Sequence, residues 1–129
     1  SLVDMEWHSQ PPGTAPVDVM AFDAAALART GLRTDLVPPR YHTPYFRHIV
    51  EHGYQAGYYS YTWTEMLAHD GFDWVMDHGG MTRQNGEHIR ASFLGRGHAA
   101  DYRQMYRDFT GRDPDVEPLL RARGLLNAE

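Results

Sequence analysis

The chain contains no cysteine, which excludes disulfides, thiolate zinc sites and cysteine nucleophiles together and leaves the redox compartment open. It contains no lysine either. All 12 basic residues are arginine, spread from Arg29 to Arg123 without a cluster. Set against 17 acidic residues they leave a formal charge of -5, so a basic stripe that could neutralise phosphates is missing and nucleic acid is not an expected partner. No apolar run approaches the ~18 residues of a membrane span, so no segment is expected to cross a bilayer. No basic start followed by an apolar stretch opens the chain, and a signal peptide is not expected. Strand-like alternation is nearly absent. Internal repeats, a Gly-rich phosphate loop, a G-x-S-x-G elbow and an H-E-x-x-H zinc motif are missing.

What is present is one small domain's worth of chain, 129 residues and 14.8 kDa, with 42% hydrophobic and 22% charged residues. Its bias is eight His, eight Tyr and three Trp. Imidazoles and phenols are the side chains that donate protons and hydrogen bonds near neutral pH.

The coarse reading is all-α with an irregular Pro/Gly-rich middle, followed by a bundle of about five helices. Leu2, Val3, Met5 and Trp7 suggest the end of an amphipathic helix whose start precedes the chain, so the chain is expected to be a piece of something larger. Gln10 to Pro16 holds three prolines and must be a loop. Val17 to Thr30 reads as a helix with Val19, Phe22, Ala26 and Leu27 as its apolar stripe, stopping at Gly31. Leu36 to Pro44 is irregular, and Tyr45 to Val50 is expected to be a short extended piece. Gly57 to Asp77 reads as a long helix with Tyr59, Trp63, Met66 and Leu67 on one face, ended by Gly79-Gly80. Thr82 caps the next helix, which carries Ile89, Phe93 and Leu94 to Gly95. Ala99 to Thr110 repeats Tyr102, Met105, Tyr106 and Phe109 at helical spacing, and Gly111 closes it. Asp113-Pro114 is expected to open a last helix bearing Leu119 and Leu120.

Two constellations could carry chemistry. Tyr54, Tyr58 and Tyr61 are four and three residues apart, so on a helix they would share a face that Glu65 continues. Either they pack at the core margin with wet hydroxyls, or they donate hydrogen bonds into a cleft, where a neutral phenol can serve a developing oxyanion. His48, Glu51 and His52 match H-x-x-E-H, in which two His grip a zinc and Glu acts as base. Pro44 before it and Gly53 and Gly57 after it leave room for only a short helix. A chain with eight His meets so loose a pattern by chance, so His52 is expected in a loop. His8, His42, His69, His78, His88 and His98 show no ligand spacing and are expected at the surface or at caps.

The run from His48 to Glu65 resembles the thimet oligopeptidase family of zinc metallopeptidases, in particular its bacterial peptidyl-dipeptidase (dipeptidyl carboxypeptidase) branch. The family pattern Gly-Tyr-x-Ala-Gly-Tyr-Tyr-x-Tyr-x-Trp-x-Glu is filled by Gly53, Tyr54, Ala56, Gly57, Tyr58, Tyr59, Tyr61, Trp63 and Glu65. The stretches Gly79 to Gly86, Tyr106 to Pro114 and Pro118 to Leu125 are similar too, and Leu2 to His8 resembles the stretch just after the family's zinc helices. The resemblance implies a helical peptidase acting on short peptides, of which residues 1–129 are the C-terminal portion. It implies one zinc ion held by an H-E-x-x-H pair and a further Glu upstream of this chain, so no metal ligand is expected here. It places Tyr61 as oxyanion donor, His48 and Tyr54 as contacts to the substrate backbone or its C-terminal carboxylate, and Tyr58 as a lesser substrate contact. It also implies a cytosolic or envelope enzyme, of which the cytoplasm is the expectation. Glu51 and His52 depart from the family, which has glycine there, and this alters the loop's freedom. Alone, the chain is expected to be inactive and, with surface uncovered, to self-associate. Two alternatives stay open at this point: a self-contained metal site at His48, Glu51 and His52, and a non-catalytic helical module that binds a peptide or partner.

Overall fold

Short polar side chains set the principal helix starts. A computed structural model describes residues 1–14, 18–32, 35–51 and 53–126, and among them all regular structure is helical. The elements are α1 (Leu2–His8), α2 (Val19–Arg29), α3 (Arg47–Val50), α4 (Ser60–Asp77), α5 (Arg83–Ser92), α6 (Tyr102–Thr110) and α7 (Glu117–Ala122), with 3₁₀ turns at Thr43–Tyr45 and Leu94–Arg96. The all-α expectation holds, and five of the helices follow the Pro-rich stretch. Asp18 accepts from the Ala21 amide at 2.9 Å, Thr82 from Asn85 at 3.2 Å and Asp101 from Gln104 at 3.0 Å. Each such cap stabilises its helix by about 1 kcal/mol. Gly111, at φ +78°, closes α6 in the left-handed region where a Cβ would be strained.

The chain divides into two compact units, Ser1–Tyr61 and Thr62–Glu129. In the first, α1 packs on α2 through Trp7 and Phe22, whose ring centroids are 4.0 Å apart. Ala26, Phe46 and Ile49 are buried there. Two aspartates, Asp4 and Asp23, are buried with them. In the second unit Met66, Val75, Met105, Tyr106, Phe109 and Leu119 form the core. Asp70 sits fully buried among them, accepting from the Tyr106 hydroxyl at 2.6 Å, the Asp115 amide at 3.0 Å and both terminal nitrogens of Arg112. Trp74 stacks with the imidazoles of His78 and His88, at 4.0 and 5.1 Å between ring centroids.

Several local expectations are corrected. Tyr45 to Val50 is not extended: it is the end of a 3₁₀ turn and the single helical turn α3. The last helix begins at Glu117 rather than at Asp113-Pro114, because the Asp113 carboxylate is committed to Arg107. Asp113 pairs with Arg107 at 2.8 Å, while Asp115 gives its amide to Asp70 and accepts from the Glu117 amide at 3.0 Å. The long helix starts at Ser60 rather than Gly57, and Tyr59 falls outside it. Trp63 and Tyr102 continue apolar stripes, yet they are exposed (57% and 54%). They line an open groove of about 820 Å³ in the second unit together with Phe93 and Val116.

Candidate functional site

The residues from His48 to Tyr61 lie wholly in the first unit, and two buried carboxylates hold the segments that carry them. Asp23, 2% exposed on α2, accepts from the Thr43 amide at 2.8 Å, the Thr43 hydroxyl at 2.5 Å and the Trp7 indole N–H at 3.2 Å. This fixes the 3₁₀ turn at Thr43–Tyr45. The chain then drops Phe46 and Ile49 into the core, and His48, between them in sequence, is left half-buried.

Beyond α3 the chain turns back on itself. Gly53 has φ +78° and Ala56 has φ +54°. Glycine takes that region freely, whereas for alanine it costs about 1–2 kcal/mol. The turn is closed by the Gly57 amide donating to the Tyr54 carbonyl at 2.8 Å and the Ser60 amide donating to the Gly57 carbonyl at 3.0 Å. It is also tied from outside. Asp4 on α1, 0% exposed, accepts from the Ala56 amide at 2.9 Å on one carboxylate oxygen and from the Tyr58 amide at 3.0 Å on the other. The Nδ1 atom of His8 lies 2.9 Å from the first of these oxygens and 2.8 Å from the Asp4 carbonyl. Both neighbours of Nδ1 are acceptors, so that nitrogen carries the proton.

This turn, rather than a helical face, brings the site together. Tyr54 and Tyr58 precede α4, and only Tyr61 is in it. Tyr54 and Tyr61 stack with centroids 5.1 Å apart, and Tyr58 lies 5.0 Å from Tyr61. The His48 ring is 5.8 Å from Tyr54, 5.7 Å from Tyr58 and 6.3 Å from Tyr61. Phe46 backs the group from the core, edge-on to Tyr58 at 4.7 Å. The four sequence-predicted residues therefore form one cluster. Tyr54 and Tyr58 are half-buried, and Tyr61 is 44% exposed. Hydrogen bonding with the Tyr54 side chain, then burial, then the nearby Tyr54 and Tyr58 phenols raise the Tyr61 pKa above the ordinary tyrosine value. Tyr61 is therefore a neutral phenol at neutral pH, able to donate.

Glu65, one helical turn beyond Tyr61 on α4, pairs with Arg123 at 2.5 Å. His52 lies outside the described residues, and the His48, Glu51, His52 set with it. Among the described residues no group of three or more His, Asp or Glu is placed to hold a metal ion. Among the described residues no helix is long and apolar enough to cross a membrane.

Asp4, His8 and Asp23, which hold these segments, are positions that periodicity passes over. Their signal is present all the same. Asp23 occupies a slot in the stripe Val19, Phe22, Ala26 and Leu27, where only a satisfied carboxylate could be buried. Asp4 and His8 are one helical turn apart.

The model of peptidase family M3 matches residues 1–125. The chain is 44% identical over 125 residues to the dipeptidyl carboxypeptidase of Salmonella typhimurium, covering 97% of this chain and 18% of that protein. It is 43% identical over 125 residues to the dipeptidyl carboxypeptidase of Escherichia coli K12, with the same coverage of 97% and 18%. It is 34% identical over 133 residues to the organellar oligopeptidase A of Arabidopsis thaliana, covering 98% of this chain and 16% of that protein. The chain thus spans less than a fifth of the length of these relatives, which are 16–18% covered.

Proposed function

This chain belongs to peptidase family M3, and on that premise we propose that it is the C-terminal portion of a zinc-dependent peptidase that hydrolyses short peptides and supplies the side chains that hold substrate and steady the oxyanion. Zinc, held by residues outside this chain, would supply Lewis-acid activation. The two relatives near 44% identity are dipeptidyl carboxypeptidases, which supports release of dipeptides over internal cleavage. The expected compartment is the cytoplasm.

The reading rests on one observation: three phenols and an imidazole, each ring 5.0–6.3 Å from at least two of the others, gather about a turn tied by Asp4, with Tyr61 protonated and accessible. Hydrolysis of a peptide bond puts negative charge on the former carbonyl oxygen. A neutral phenol donates to that oxygen more strongly as the charge grows, because a hydrogen bond to an ionised acceptor is roughly twice as strong as one between neutral groups. Tyr61, the most accessible of the three clustered tyrosines, takes this role. His48 and Tyr54 donate to the peptide backbone or to its C-terminal carboxylate, and Tyr58 supports them.

The test is Tyr61→Phe in the complete enzyme. Removing one oxyanion donor lowers kcat about 10²–10³-fold with KM little changed. A kcat within about twofold of wild type, with peptide binding intact, would instead make the cluster a binding surface without catalytic duty.

A further inference from the structure

We propose that Asp4 is a positioning residue for the tyrosine turn: its buried carboxylate, by accepting from the Ala56 and Tyr58 amides, sets where the Tyr54, Tyr58 and Tyr61 hydroxyls are presented. The catalytic consequence rests on the peptidase reading above, but the mechanical claim does not.

Every polar neighbour of this carboxylate is a donor. One oxygen faces the Ala56 amide at 2.9 Å and His8 Nδ1 at 2.9 Å, and the other faces the Tyr58 amide at 3.0 Å. Asp4 is 0% exposed, so water cannot replace any of them. The contacts span 52 and 54 residues of sequence and end on the two amides that flank Gly57. Ala56 holds a left-handed φ of +54° that alanine does not choose, so something outside the turn must stabilise it. The acceptor on its own amide is that something. Releasing it frees Ala56 to return to negative φ, which would swing the chain on either side and part the Tyr54–Tyr61 stack.

Asp4→Asn tests this without changing shape. The amide has one acceptor oxygen where the carboxylate has two, so whichever way it is turned its NH₂ faces a donor. The variant is compared in the complete enzyme with Asp70→Asn, which removes a buried carboxylate far along the sequence, in the second unit. Hydrogen exchange by mass spectrometry over residues 53–61 should quicken at least about tenfold in Asp4→Asn and not in Asp70→Asn. In Asp4→Asn kcat should fall about 10–100-fold, with KM within about threefold and metal content unchanged. Exchange over 53–61 at the wild-type rate overturns the proposal. So does a loss of kcat no greater than that of Asp70→Asn at equal loss of thermal stability, because the aspartate is then merely structural. If the wild-type enzyme hydrolyses no peptide, the peptidase reading fails and the exchange comparison alone decides whether Asp4 sets the turn.

Discussion

A phenol donates a hydrogen bond only while it keeps its proton, and the surroundings of Tyr61 strengthen its hold on it. Because the pKa is raised, chiefly by the Tyr54 side chain, the donor form is complete at neutral pH and is lost only as pH rises through the raised value. The donor should therefore persist beyond the ordinary tyrosine pKa of about 10. Tyr54→Phe removes the largest cause, so Tyr61 should then titrate closer to that ordinary value. Titration of ¹³Cζ-labelled tyrosine by NMR reads this directly, and an unmoved or higher Tyr61 pKa in Tyr54→Phe would show that Tyr54 is not the cause. At this scale the sequence was informative where chemistry is written in residue type. Tyr54, Tyr58 and Tyr61 could be named together from their spacing, and His48 with them from the family pattern. Their geometry could not. The spacing of four and three suggested a helix, but the φ values of +78° at Gly53 and +54° at Ala56 make a turn of it, and no periodicity encodes an alanine in the left-handed region.

Within the second unit one interaction dominates, and it carries its own pH dependence. Burial works to raise the Asp70 pKa, but hydrogen bonds from Arg112, Tyr106 and the Asp115 amide outweigh it, so the carboxyl is held below its ordinary value. Burial and the bond to Asp70 push the Tyr106 phenol well above its own ordinary value. Asp70 therefore contributes stability above an unfolded pKa of about 3.9, which is lost as pH falls toward its folded value. Tyr106 binds its proton more tightly folded than unfolded, so stability declines once pH exceeds about 10. Tyr106→Phe should cost about 1.5–3 kcal/mol at neutral pH and flatten the alkaline decline, as measured by urea unfolding at a series of pH values. An unchanged alkaline limb would place that dependence elsewhere. The 3₁₀ turn Leu94–Arg96 offers a steric counterpart. A Cβ on Gly95 would lie 2.8 Å from the Arg90 carbonyl oxygen, so Gly95→Ala should destabilise by about 1–3 kcal/mol. A stability equal to wild type would mean that the turn yields freely. Element ends explain what was legible at this scale. Helices closed by a capping side chain or a Gly, such as α2, α5 and the end of α6, fall near the expected bounds. The start of α7 does not, because Asp113 looks like a cap and is in fact spent on Arg107.

For the molecule as a whole, the informative feature is apolar surface left in the open. Trp63 is 57% exposed, Tyr102 54% and Val116 46%, and all three line the groove of about 820 Å³ in the second unit together with Met66 and Leu67. Exposed apolar side chains scattered singly are ordinary, but a groove that gathers them drives association. The chain alone should therefore form dimers or larger species, detected as a concentration-dependent mass by light scattering, while the complete enzyme should not. The same preparation decides the division of labour proposed above. If the zinc residues lie outside this chain, as proposed, the isolated chain should bind less than stoichiometric zinc and release no dipeptides, whereas the complete enzyme should carry one zinc and release them. A monomer at high concentration would mean that the groove needs no cover. Zinc-dependent turnover by the isolated chain at one metal per molecule would overturn the C-terminal reading and point back to His48, Glu51 and His52. His52→Ala would then have to abolish that binding.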